Sequence, residues 1–246
     1  MNKDSLSPAS FIGVRGKNII SFGSGEPDLP PPEEVCKILP HYSNFKYGLI
    51  QGQENLRNEL TKQYPDSSSD SFVITNGASE ALDLILRVIS NHESTQPKKI
   101  LIIKPYYYSY PRIVEYAGLE PIFLQTQDGR INIDDFREKI LDCRAVIINS
   151  PSNPTGRVES IDTLKEIESI SNQYGVYVLS DEVYKDLIYI RENYLIHGPH
   201  VVTINSFSKT YAMCGLRVGY LWSLDKDLIQ NIIEMKTHSS MNTNIL

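Results

Sequence analysis

From Phe72 onward the chain alternates short apolar runs with longer stretches of helical period, and no other feature restricts its fold as tightly. The strand-like runs are Phe72–Thr75, Ile100–Ile103, Pro121–Leu124, Ala145–Ile148, Val176–Leu179, Val201–Ile204 and Val218–Leu221. Between them lie helical segments at Glu80–Ile89, Pro111–Ala117, Ile133–Leu141 and Asp162–Tyr174, and Lys226–Lys236 begins another. The first of these shows the period in Ala81, Leu82, Ile85, Val88 and Ile89. Strand and helix in alternation predict an α/β sandwich whose sheet is mainly parallel.

The part before Phe72 is less regular. Met1 to Gly16 reads as a polar arm. Phe22 to Pro32 reads as a rigid loop, because its consecutive prolines fit neither a helix interior nor a central strand. Glu33–Leu39 is a short helix, Gln53–Tyr64 a second that ends at Pro65, and Asp66–Asp70 a surface loop. The N-terminus lacks the apolar core of a signal peptide, and no apolar run approaches the length of a membrane span. A net charge of -6 without a basic stripe makes nucleic acid and anionic membrane poor partners. Cys36, Cys143 and Cys214 are scattered and odd in number, which fits reduced thiols in a cytoplasmic protein.

Chemistry-bearing residues fall just after the predicted strands, where open α/β sheets bind ligands. After Ile204 comes Ser206-Phe207-Ser208-Lys209, with Gly215, Arg217 and Gly219 following. A lysine amine becomes a useful nucleophile when its pKa is depressed or when it is captured by a carbonyl. The two serines and the arginine fork make a phosphate clamp. A phosphate beside such a lysine describes pyridoxal phosphate (PLP). After Thr75, the turn Asn76-Gly77-Ala78-Ser79 opens a helix whose first N–H groups suit a phosphate, although Asn76 or Ser79 could equally serve as a cap. After Ile103, Tyr106, Tyr107, Tyr108 and Tyr110 crowd one loop. After Ile148 comes Asn149-Ser150-Pro151-Ser152-Asn153-Pro154-Thr155-Gly156, and after Leu179 comes Ser180-Asp181-Glu182-Val183-Tyr184.

In this order the motifs resemble those of the class I/II aminotransferases, the PLP enzymes of fold type I, over about Phe22 to Lys236. The resemblance implies the large domain of that fold, with a mainly parallel seven-stranded sheet sandwiched by helices. It implies that Lys209 holds the cofactor as an imine and then moves the substrate proton. Gly77, Ala78, Ser79, Ser206, Ser208 and Arg217 would hold the phosphate, and Tyr107 would stack on the ring. Asn153 and Tyr184 would bond the ring's 3-oxygen, and Asn153 would also face the substrate. Asp181 would keep the ring nitrogen protonated. Gly25, in Gly25-Glu26-Pro27-Asp28, would meet the substrate carboxylate through its backbone. Tyr47, in Tyr47-Gly48-Leu49-Ile50-Gln51-Gly52, would reach the phosphate of a neighbouring subunit, making the protein a homodimer with shared sites; a buried structural tyrosine is the alternative. The other tyrosines of the 106–110 cluster read as structural, and Glu182 as solvated or structural. No motif calls for a metal.

Residues 1–40 would then be an arm and a substrate-covering loop, and residues 41–246 the PLP-binding domain. The expected activity is a ping-pong exchange of an amino group between an amino acid and a 2-oxo acid. A lyase or synthase on the same fold and a PLP-binding module without turnover are the alternatives. Family members continue into a C-terminal small domain that carries the arginine for the substrate α-carboxylate. With the chain ending at Leu246, no residue here inherits that role, and poor transamination by the chain as given is the expectation.

Overall fold

A computed structural model describes residues 25–189 and 193–243. The arm Met1–Gly16, the first residues of the Gly- and Pro-rich loop, and the chain end after Thr243 lie outside the described residues.

Among the described residues seven strands form one sheet: β1 (Phe72–Thr75), β2 (Lys99–Lys104), β3 (Glu120–Gln125), β4 (Ala145–Asn149), β5 (Tyr177–Asp181), β6 (Val201–Ser206) and β7 (Gly219–Ser223). Their order across the sheet is β1-β7-β6-β5-β4-β2-β3. Neighbours are parallel except where β7 runs antiparallel to both β1 and β6. The seven strands match the expected runs, with β2, β3, β4 and β6 extended by one or two residues and β5 shifted to begin one residue later and end two later. β7 begins one residue later than expected and runs on to Ser223.

The helices are α1 (Glu33–Ile38), α2 (Glu54–Thr61), α3 (Ala78–Asn91), α4 (Tyr110–Tyr116), α5 (Ile133–Ile140), α6 (Ile161–Tyr174), the single turn α7 (Phe207–Thr210) and α8 (Lys226–Thr237). Helix α3 starts two residues before the expected Glu80, so Ala78 and Ser79 lie in its first turn. Apolar periodicity could not place that start, because the first turn carries its polar residues toward the sheet edge.

Side chains alternate across the sheet with period two. Ile100, Ile102, Ala145, Ile147, Leu179, Val202 and Ile204 pack toward α3, α4 and α8. Leu101, Val146, Ile148, Val178 and Val201 pack toward α5 and α6 on the other side. Both faces are therefore dry, which is why the strands read as continuous apolar runs. In α3, Leu84, Ile85 and Leu86 are essentially fully buried, each worth roughly 1.5–3 kcal/mol relative to exposure. Leu60 of α2 and Tyr64 close the β1–β7 end against Phe72, Ile74, Tyr220 and Trp222. Among the described residues no helix is long and apolar enough to cross a membrane.

Parallel pairing brings the carboxyl ends of β1, β2, β4, β5 and β6 to one edge, and antiparallel β7 begins there. Gly219 pairs with Thr75 on one side and Ser206 on the other. Asn149 pairs with Asp181. All the motifs that follow strands are thus gathered along a single edge.

Candidate active site

At the β1 end of this edge, the turn Asn76–Gly77 leads into α3. Gly77 has φ +83°, and a Cβ there would lie 2.5 Å from Arg217 Nη2. Glycine is required twice over, by conformation and by space. Arg217 sits in the left-handed region at φ 56°. Its Nη2 donates to the Asn76 carbonyl at 3.3 Å and its Nη1 to the Cys214 carbonyl at 3.0 Å. A Cβ on Gly219 would fall 2.7 Å from the Gly77 carbonyl carbon and 2.8 Å from Ala78 N, so only glycine lets β7 press against the turn.

Ser206 ends β6 and caps α7. Its Oγ accepts from Ser208 N–H at 3.1 Å and lies 2.7 Å from Ser208 Oγ and 3.1 Å from the Val218 carbonyl oxygen. The α3 N-terminus, the two serines and an exposed guanidinium therefore converge on one spot. A helix N-terminus beside an arginine is an anion site, and the tight glycines leave room for a phosphate to approach the backbone.

Lys209 lies on α7, and its Nζ donates to the Gly25 carbonyl at 2.6 Å. A Cβ built on Gly25 would stand 3.8 Å from both Lys209 Nζ and Tyr184 Oη. The Tyr184 hydroxyl accepts from Asn153 Nδ2 at 3.3 Å. Burial pushes the Tyr184 pKa up, against the Asn153 hydrogen bond, and the Asp181 charge adds to the rise. Asn153 is itself fixed, its N–H donating to Asn149 Oδ1 at 2.7 Å while Asn149 Nδ2 donates to the Asp181 carbonyl at 2.9 Å.

Asp181 ends β5. Its Oδ2 accepts from Tyr110 Oη at 2.6 Å and its Oδ1 from Val183 N–H at 3.3 Å. Loss of solvent raises its pKa, only partly opposed by those two hydrogen bonds. Desolvated in this way, the carboxyl suits a cationic ligand group. Tyr107 is half-buried beside this pair, edge-on to Tyr108 at 4.7 Å and to Tyr110 at 5.5 Å between centroids. Phosphate donors, an amine, a desolvated acid, a hydroxyl–amide pair and an aromatic wall share one edge, and together they fit PLP.

A family model for class I and II aminotransferases matches residues 17–245. The chain belongs to that family. It is 34% identical over 248 residues to a probable aspartate aminotransferase of Methanocaldococcus jannaschii, covering 93% of this chain and 64% of that protein. Among solved structures it is similar to a double mutant of Thermus thermophilus aspartate aminotransferase, with TM-score 0.82 and 26% identity over 90% of this chain and 60% of that one. An aromatic aminotransferase from Pyrococcus horikoshii matches with TM-score 0.82 and 26% identity, covering 97% and 67%. The chain therefore spans somewhat under two thirds of the length of the first curated relative.

The sites expected from this family's motifs meet along the sheet edge, with one exception. Tyr47 takes no part in the hydrogen bonds above and stands 84% exposed, which removes the reading of a buried structural tyrosine within one chain. Tyr110, read as structural, is 2% exposed and donates to Asp181 Oδ2 at 2.6 Å. Of the two readings of Glu182, solvated or structural, the second holds: it is 3% exposed, accepts from Ser180 Oγ at 3.0 Å, and burial raises its pKa to about 7. Asn149 also went unassigned, although its place as the last residue of β4, opposite Asp181, is the signal that finds it.

Proposed function

We propose that this chain carries the site of a PLP-dependent aminotransferase that exchanges an amino group between an amino acid and a 2-oxo acid in two ping-pong stages. The observation that carries the reading is the placement of Lys209, Asp181 and the Asn153–Tyr184 pair beside an anion cup on one sheet edge. When bound, the cofactor supplies a carbonyl carbon for amines and a ring that accepts electrons released at the substrate's α-carbon.

The chain's own residues do the rest. The Ala78 and Ser79 N–H groups, with Ser206, Ser208 and Arg217, would hold the phosphate. Asp181 would keep the ring nitrogen protonated, and Tyr110 and Val183 hold Asp181 in place. Asn153 and Tyr184 would bond the 3-oxygen, and Tyr107 would supply an aromatic contact to the ring, where offset stacking is worth about 0.5–1.5 kcal/mol. Lys209 would be the attachment point; its freed amine would take the proton from the substrate α-carbon as general base and deliver it, as general acid, to the cofactor's C4′ carbon. The Gly25 backbone would meet the substrate carboxylate, and Tyr47 would reach the phosphate of a second copy in a homodimer. Its exposed ring supports that reading.

The test is a half-reaction. The PLP-loaded chain is mixed with an amino acid and no acceptor, starting with aspartate and then an aromatic amino acid, the substrates that the relatives' names offer. At most one equivalent of the matching 2-oxo acid per site is expected, with Asp181→Asn far slower while still holding the cofactor. Release of some other product would favour a lyase or synthase. No product from any amino acid would sink the reading.

A further inference from the structure

Glu80 sits awkwardly for the site it belongs to. It is the acidic residue in the first turn of α3, where a carboxylate draws on the same positive helix end that should bind a phosphate. Its contacts show what it does there. Glu80 Oε2 accepts from Asn76 N–H at 2.6 Å, and the Asn76 side-chain amide lies 3.2 Å from both carboxylate oxygens. The Asn76 carbonyl is held in turn by Arg217. The turn that presents Gly77, Ala78 and Ser79 is thereby clamped from both sides.

The charge is met from behind. Lys236, in the last turn of α8, is 0% exposed, a rare state for a lysine unless it is paired. Its Nζ lies 3.1 Å from Glu80 Oε2 and donates to Ser240 Oγ at 3.1 Å. Glu80 is 14% exposed. Burial alone would raise its pKa, but Ser240, the Asn76 N–H and Lys236 together hold it below its ordinary value. The carboxylate is therefore ionised, close to the anion cup, and paired with a cation from a different helix.

We propose that Lys236 is a positioning residue for the cofactor's phosphate: by neutralising Glu80, it lets a carboxylate clamp the Asn76–Ser79 turn without repelling the anion that the turn binds. Lys236 touches neither cofactor nor substrate and acts through Glu80. The proposal rests on the PLP reading of the site.

The experiment measures affinities for PLP, inorganic phosphate and pyridoxal, which lacks the phosphate, in the wild-type chain and in Lys236→Met, Glu80→Gln and the double variant. Lys236→Met should weaken PLP and phosphate by about five- to thirtyfold, the range of a charge effect at a helix terminus, and leave pyridoxal unchanged. Glu80→Gln should bind both anions at least as well as wild type, because glutamine keeps the acceptor and loses the charge. The double variant should return to near wild type. Opposite responses of the two single variants are the signature of charge compensation. Equal weakening of pyridoxal and PLP, weakening of PLP by Glu80→Gln, or wild-type affinity in Lys236→Met would each overturn the proposal. Should Lys236→Met fail to fold, Glu80→Gln and the double variant decide by the same criteria. A wild-type chain that binds neither PLP nor phosphate would instead overturn the cofactor reading, and the proposal with it.

Discussion

Helix α3 meets an arginine at each end, and the two guanidinium groups are used differently. At its C-terminus, on the amino edge of the sheet, Arg144 is 8% exposed. It donates to the carbonyls of Ile89, Ser90, His92, Ser94 and Gln96 at 3.0 to 3.4 Å. Those are the orphan acceptors of a helix end and the loop after it, and Nε and both Nη atoms are engaged. At the N-terminus, exposed Arg217 gives one hydrogen bond from each Nη to a carbonyl, which leaves further N–H donors of the five on a guanidinium. An arginine whose fork is filled by carbonyls is a cap; one with donors to spare at a helix N-terminus can take an anion, the role proposed for Arg217. Asp181 and Glu182 repeat the contrast in adjacent residues, one carboxyl at the site and the other turned into the interior beneath Tyr64 and Tyr220.

The comparison breaks first, if it is wrong, at Arg144. Arg144→Met strips five carbonyls of a buried charged partner and should cost on the order of 3 kcal/mol of stability, read as a fall in the urea midpoint. The cofactor contacts of whatever remains folded should be intact. A stability near wild type would make Arg144 dispensable and end the contrast with Arg217.

Glu182 comes next. Its carboxyl keeps a proton to about pH 7 in the folded chain, against an ordinary value near 4.5. Because the folded-state value is the raised one, its contribution to stability is full below about pH 4.5 and is lost as pH rises through about 7. By linkage the loss amounts to roughly 3 kcal/mol at most. Glu182→Gln should flatten the decline in stability over that window, as followed by thermal unfolding at a series of pH values. An unchanged slope would mean that Glu182 does not titrate there.

Arg217→Met should do the reverse of Arg144→Met. Stability should change by under about 1 kcal/mol, in line with a surface site, while PLP affinity drops by about 1.5–3 kcal/mol for a lost hydrogen bond to a charged group. Equilibrium dialysis beside urea unfolding separates the two. The smallest effect belongs to Tyr110→Phe. It removes a hydrogen bond that lowers the Asp181 pKa, so the acid limb of the rate profile should move to higher pH and the net loss be about 0.5–1.5 kcal/mol. A profile that stays in place would show that Tyr110 does not tune Asp181.

These residues also show what the sequence could and could not reveal. The seven strands were legible because both faces of the sheet are apolar, so every strand is a dense run. Lys209, Asp181, Asn153 and Arg217 were legible because each follows such a run within a recognisable motif. Tyr110 was not, since it lies one strand removed from its partner and among three other tyrosines; only the β2–β4–β5 adjacency brings it to Asp181. Arg144, Glu182 and Lys236 are charged residues that sequence alone assigns to the surface. Their burial is set by partners 48 to 55 residues away for Arg144 and 156 for Lys236, which no local pattern encodes. The start of α3 was misplaced because Ser79 and Glu80 interrupt the apolar period in its first turn, although Ala78 and Ala81 pack on the core.

The central claim is that the carboxyl edge of this sheet binds PLP through Lys209. The most direct measurement is to load the chain with PLP, reduce it with borohydride, digest it and locate the label by mass spectrometry. The account predicts one cofactor per chain, on the peptide containing Lys209, and none in Lys209→Ala with the fold unchanged by circular dichroism. A label on a different lysine, or one that survives in Lys209→Ala, would contradict it.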